Sequence, residues 1–217
     1  MISKRLLTIA NLVDKNKVVY DVGSDHGLLP CFLVMNGISP KAYAIDNKEG
    51  PLKKAKENIK KLHLEDRVIC KLSNGIDDIE EDVDIITICG MGFYTIKEIL
   101  EGKDLSKYKK IIVQSNKNVR ELREWISNSG YSIVDEKVVF DVHYYEIVVF
   151  EPKKGPNLSE EELKYGPFNL KKGEESFINY LNYQAQKNHI IYDKSHNPEA
   201  LFKEKELNDI ISKIARN

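Results

Sequence analysis

The chain has 217 residues, 41% of them hydrophobic, with a formal net charge of −1. That is enough for one domain plus an appendage, with no apolar run approaching a membrane span. The near-zero charge carries no global basic signal for nucleic acid, and Cys31, Cys70 and Cys89, with no CxxC pair, fit neither a disulfide framework nor a zinc site.

The elements follow in order. Ser3 caps a first helix, Lys4 to Val13, with Leu6, Leu7, Ile9, Ala10 and Val13 on one face. Its opening has no signal-peptide layout, which with the free thiols predicts a cytoplasmic protein. A strand, Val18 to Val22, runs into a small-residue turn and a helix from Leu28 to Asn36, stopped by Gly37. A second strand, Ala42 to Ile45, ends on Asp46, and Gly50-Pro51 opens the next helix. Strands are predicted at Val68 to Leu72, Val83 to Cys89 and Lys110 to Val113, with helices at Tyr94 to Glu101 and Val119 to Asn128. Tyr131 to Val139 and Tyr144 to Phe150 then read as an antiparallel pair.

Alternating strands and helices predict a mostly parallel sheet covered on both faces. Val83 to Cys89 and Lys110 to Val113 are nearly continuous apolar runs, as burial on both faces demands. From Pro152 to Pro167 the composition shifts to a linker with a short acidic helix, Glu160 to Tyr165. Two amphipathic helices follow, Glu174 to Lys194 and Pro198 to Ala215, broken by Asn197-Pro198. The expected organisation is a domain over 1–151 and a helical arm over 152–217.

In such sheets the ligand lies beyond the carboxyl ends of the strands. Those ends carry Asp21-Val22-Gly23, Asp46, Asn74-Gly75, Gly90-Met91-Gly92 and Gln114-Ser115-Asn116. Asp46 is placed to accept hydrogen bonds from two ribose hydroxyls, and Gly23 lets the backbone approach a ligand closely. The turn Gly23-Ser24-Asp25-His26-Gly27 is not the GxGxxG dinucleotide fingerprint, and Asp25 would repel a pyrophosphate. Asp21 and Asp25 suit a cationic amino group better. S-adenosylmethionine is therefore the expected cofactor ahead of NAD, and no metal is expected.

A set of short motifs in this order resembles the bacterial TrmK family, tRNA (adenine-N1)-methyltransferases acting on position 22 of tRNA. They are Ser3-Lys4-Arg5-Leu6, Asp21 to His26 with Leu29-Pro30, Glu49-Gly50-Pro51, Ile88 to Gly92, Gln114-Ser115-Asn116, Leu122 to Trp125 and Tyr145-Glu146-Ile147. The family's Gly-Asp-Gly is here Ser73-Asn74-Gly75, its Gly-Met-Gly-Gly is Gly90 to Phe93, and its Gln-Pro-Asn is Gln114-Ser115-Asn116. The resemblance implies a Rossmann-like class I SAM-dependent methyltransferase, with a seven-stranded mixed sheet, helices on both faces and a C-terminal coiled-coil-like hairpin.

On that reading Asp21, Gly23, Ser24, Asp46, Asn74, Gly75, Gly90, Met91 and Gly92 hold the cofactor. Asp25 stabilises the charge that develops on the base, and Gln114 and Asn116 hydrogen-bond the base edge. Phe93 or Tyr94 stacks on the base, which must leave its own stack. Lys4, Arg5, Arg120 and Arg123 hold phosphates of the tRNA partner, and His26 orients the loop. A monomer is expected. Other readings stay open at this point: a methyltransferase of small molecules or proteins, and a binding module without catalysis.

Overall fold

The computed structural model describes residues 2–77, 79 and 82–216. Met1 and Asn217, the outer ends of the two expected segments, lie outside the described residues.

The chain runs α1 (Lys4–Asn11), β1 (Val19–Val22), α2 (Leu28–Met35), β2 (Ala42–Asp46), α3 (Glu49–Lys61), β3 (Val68–Leu72), β4 (Ile85–Met91), α4 (Phe93–Leu100), β5 (Lys110–Ser115) and α5 (Val119–Asn128). The hairpin β6 (Ser132–Asp141) and β7 (His143–Glu151) follows, then α6 (Glu160–Tyr165), α7 (Pro167–Lys172), α8 (Glu175–Ser195) and α9 (Pro198–Ile214). Among the described residues the sheet has seven strands in the order β3-β2-β1-β4-β5-β7-β6. β1 to β5 pair in parallel, and β7 enters antiparallel between β5 and β6. The switch point lies between β1 and β4, so the ligand side is the carboxyl edge there.

Period-2 alternation sorts the strand residues onto two faces. Tyr20, Ile86, Ile88, Ile111, Val113 and Val148 meet α4 and α5 through Phe93, Ile96, Leu122 and Ile126. Val19, Ile85, Ile112, Ile147 and Val149 meet α1, α2 and α3 through Ile9, Leu29, Leu33 and Ile59. The helices therefore cover both faces, as the buried apolar runs require.

Several boundaries differ from expectation. β4 runs on through Gly90 to Met91, with a register shift against β5 between Cys89 and Met91. A bulge of this kind re-aims the strand end, which no local propensity announces. Between the linker, read as ending at Pro167, and the first arm helix the chain forms a further short helix, α7, with Pro167 at its first turn.

The arm is docked rather than free. Phe177, Leu181 and Ala185 of α8 and Leu207 and Ile210 of α9 bury against Val138 of β6 and against Tyr165. An Arg123 cluster ties this layer to the sheet. Arg123 is fully buried; its Nε donates to Glu136 (2.7 Å), one terminal nitrogen to Glu146 (2.7 Å), and the other to the Leu163 and Lys164 carbonyls. The second Glu136 oxygen accepts from the Phe168 backbone N–H, and Tyr180 reaches Glu146 at 3.4 Å. Gly166 passes so close to the Glu136 carboxylate that a Cβ would collide with it, and its φ is +90°. The expected contact of Arg123 with tRNA phosphate is thereby corrected: the guanidinium has no exposed surface and its donors are already used.

Removing one member of a buried ionic cluster leaves an unpaired charge, at a cost of about 3–5 kcal/mol. Arg123→Leu is expected to lose stability on that scale in urea unfolding. Arg123→Lys is expected to recover less than half of it, because one ammonium cannot span two carboxylates and two carbonyls.

Candidate active site

β1, β2, β3 and β4 deliver their carboxyl ends to a cleft of about 490 Å3. Its wall includes Gly23, Asp25, Asp46, Asn74, Gly75, Gly90 and Met91, brought from four strands. Gly23 sits at φ +70°, and a Cβ there would run into the Met91 methyl group. The positive φ is what favours glycine there, and its bare backbone leaves room for the Met91 side chain. Asp25 also takes a positive φ, +51°, which an Asp tolerates. Its exposed carboxylate faces His26 Nε2 at 3.4 Å. The His26 carbonyl accepts from Asn58 Nδ2 at 3.0 Å, which pins the loop to α3.

Asp46 is not a helix cap. Its Oδ1 accepts from the Lys48 N–H, Lys48 itself is the residue before α3, and the remaining acceptor capacity is open to the cleft. Cys89 also borders the cleft, and burial pushes its thiol well above the usual range, so it is no nucleophile at neutral pH.

Asp21, Ser24 and Gly92 stand behind or beside this wall rather than on it. Asp21 is buried and accepts from Thr87 Oγ1 at 2.6 Å. Burial raises its carboxyl to about 6, against the Thr87 hydrogen bond and the charge of Arg5, which hold it down.

A second set of hydrogen bonds closes the β4–β5 edge. Gln114 is fully buried, and its Oε1 accepts from Arg5 Nη1 (2.6 Å) and from the Gly90 N–H (3.1 Å). Its Nε2 donates to Asn116 Oδ1 at 3.0 Å. Asn116 Nδ2 donates to the Gly90 carbonyl (2.7 Å), and the Asn116 backbone N–H donates to that of Met91 (2.8 Å). Two expectations change here. Gln114 is too buried and too fully engaged to hydrogen-bond a base edge, so it positions Asn116 instead. Arg5 faces inward rather than standing free for a phosphate: one terminal nitrogen is held by Gln114, and its guanidinium lies 5.2 Å over the Tyr145 ring.

Phe93 is a third correction. It is 6% exposed and packs in the core, whereas its neighbour Tyr94 is 69% exposed. Of the two aromatics, only Tyr94 presents a ring for stacking. Lys4 is exposed, and Arg120 is half-exposed but paired with Glu124 and Glu160.

The sequence reading missed Thr87, Pro51 and Ile99. Thr87 left a signal, a lone hydroxyl within an apolar strand. Ile99 reaches the cleft only because α4 packs across the end of β4. Among the described residues no cluster of three or more His, Cys, Asp or Glu side chains is arranged to hold a metal ion, and no helix is long and apolar enough to cross a membrane.

The cleft's size suits a nucleoside-sized ligand. Open glycine backbone, a ribose-type carboxylate at Asp46 and the Asn74 amide match the parts of S-adenosylmethionine, and the Asp25 carboxylate opposes a pyrophosphate.

Raised pKa means that folded Asp21 holds its proton more tightly than the unfolded residue does. Its contribution to stability is full below about pH 4, falls as pH rises to about 6, and is level above. Asp21→Asn is expected to remove this slope. Urea midpoints from pH 4 to 7 should then drift in favour of the variant, by up to about 3 kcal/mol.

Comparison with known proteins agrees with this geometry. The family model described as TrmK, tRNA (adenine(22)-N(1))-methyltransferase, matches residues 19–216. The tRNA (adenine(22)-N(1))-methyltransferase of Bacillus subtilis is 34% identical over 203 residues, covering 89% of this chain and 85% of that protein. A Streptococcus pneumoniae structure in complex with S-adenosyl-L-methionine superposes with a TM-score of 0.86 at 32% identity, covering 97% of this chain and 100% of that one. M. capricolum TrmK in complex with S-adenosyl-homocysteine gives a TM-score of 0.78 at 31% identity, over 99% of this chain and 98% of that one. On the family-model match over residues 19–216 and a relative 34% identical over 89% of the chain, the chain belongs to the TrmK family of tRNA (adenine(22)-N(1))-methyltransferases.

Proposed function

We propose that this chain transfers a methyl group from S-adenosylmethionine to N1 of adenosine 22 of tRNA. The observation that carries the reading is the Asn116 junction. The cofactor-sized cleft ends at Gly90-Met91, and Asn116 bonds both of those carbonyls while it walls a second groove on its far side. Asn116 thus ties the wall of the cofactor-sized cleft to that of a neighbouring groove.

The cofactor supplies an electrophilic methyl group on a positively charged sulfur. Asp46 accepts from the ribose hydroxyls, and Asn74 hydrogen-bonds the adenine edge of the cofactor. Gly23, Gly75, Gly90 and Met91 shape its bed, with Asp21, Ser24 and Gly92 supporting them from behind. Adenine N1 carries an in-plane lone pair, so the protein need not remove a proton from it. Alignment is then the main task. Asn116, its amide fixed by Gln114, orients the target base, and Tyr94 stacks on it. Asp25 faces the positive charge that develops on the base and lowers its cost. Lys4 and the partly engaged Arg120 meet phosphates. His26 keeps the Asp25 loop in place. The working unit is a monomer in the cytoplasm, with a catalytic segment 1–151 and an arm 152–217 whose apolar stripe is buried against β6 and within its own hairpin.

Transfer of labelled methyl to an unmodified tRNA transcript with adenosine at position 22, and not to one with guanosine there, is the expected result. Absence of transfer to either, with S-adenosylmethionine still bound in calorimetry, would overturn the reading. Asp46→Ala is expected to weaken cofactor binding about tenfold or more, as loss of charged hydrogen bonds implies. Asp25→Ala is expected to lower kcat more than cofactor affinity. Equal kcat in that variant would remove Asp25 from the chemistry.

A further inference from the structure

The groove beyond Asn116 has a volume of about 630 Å3 and lies between the first turn of α5, the β6–β7 turn and α8. Its lining includes a ladder of aromatic rings. The Phe140 centroid is 5.0 Å from that of Tyr144, which in turn lies 5.3 Å from both Tyr180 and Tyr183. Phe140 is 53% and Tyr183 49% exposed, so the ladder presents two rings to solvent. Adjacent exposed rings in a groove mark a surface that something covers.

The lip of the groove is strained. Val142, alone between β6 and β7, is 78% exposed and held at φ +67°. A β-branched residue in that region is an outlier costing about 1–3 kcal/mol, and such strain concentrates at binding sites. The rim carries charge of both signs: Glu121 also lines the groove and accepts from Asn118 Nδ2 at 3.0 Å. Lys117 is exposed and has no ion-pair partner among the described residues, whereas Arg120 and Lys164 are paired with glutamates.

We infer that this groove holds an unpaired nucleotide next to the methylated adenosine, with its base stacked on the Phe140–Tyr183 ladder and its phosphate at Lys117. The inference rests on the tRNA reading above and narrows it to a strand opened around the target. Asn116, proposed above to orient the target base, also lines this groove, so a nucleotide beside the target comes within its reach. A base that leaves its stack deprives its neighbours of a partner, and an aromatic ring replaces that partner without regard to base identity. Asn118, whose Nδ2 donates to Glu121, and Gln184 make the walls partly polar, which suits a base edge better than a purely apolar protein segment.

The test uses the full chain and tRNA transcripts carrying 2-aminopurine at the nucleotide on either side of position 22. Phe140→Leu and Tyr183→Leu remove an exposed ring and keep apolar bulk, and neither residue belongs to the cofactor cleft. With the wild-type protein, binding is expected to quench the probe at one of the two positions. In each variant the quenching is expected to be lost, with KM for tRNA raised about tenfold, the scale of one stacked base. Cofactor affinity and melting temperature should stay unchanged. Wild-type methylation of adenosine 22 with no quenching at either position, or variant KM values within twofold of wild type, would overturn the groove assignment and leave the tRNA reading standing. No methylation of either tRNA by the wild-type chain would overturn both.

Discussion

The buried guanidinium of Arg123 is the constraint on which the two halves of the molecule depend. It draws on β6 through Glu136, on β7 through Glu146, and on the carboxyl end of α6 through two carbonyls. Burial opposes its charge, but the adjacent Glu146 and Glu136 outweigh that and hold its pKa above the ordinary arginine value. What the ionic cluster adds is geometry. Five donors in a fixed fork admit only one arrangement of two strands and a helix end. The arm is thereby held at a set angle to the sheet edge that carries the active site.

A smaller network does the same for the chemistry. Gln114 has no freedom to contact substrate, because Arg5, Gly90 and Asn116 occupy its polar atoms. Its value lies in fixing which way the Asn116 amide points. Arg5 belongs to α1, so the first helix of the chain reaches the methyl-transfer edge through a single amide. Asp141 of β6 accepts from the Arg5 backbone N–H and ties that helix to the far hairpin. Sheet edge, first helix and hairpin thus converge on one asparagine, which ties the wall of the cofactor cleft to that of the aromatic groove.

Several expectations failed for one common reason. Arg123, Arg5 and Phe93 are residue types that bind phosphates or stack on bases when exposed, and sequence alone does not report exposure. Phe93 opens α4 beside Tyr94, yet helical geometry turns one ring into the core and the other to water. Phe140, Tyr144 and Tyr183 went unread because they lie on β6, β7 and α8, far apart in the chain and gathered only by the hairpin and the docked arm.

By itself the sequence determined the alternating strand and helix pattern, the mostly parallel sheet, the antiparallel pair that ends the domain, and the polar or glycine-rich strand ends that border the cleft. These follow from local periodicity and from glycine or acid placed just after an apolar run, which are properties of contiguous residues. Asp46, Asn74 and Gly23 were legible for that reason. Tertiary structure alone decided the bulge that carries β4 to Met91, the burial of Arg123 against two glutamates, the role of Gln114 and the aromatic groove. Each depends on partners brought together from distant elements, where the balance between desolvation and pairing is set by neighbours that no local pattern names.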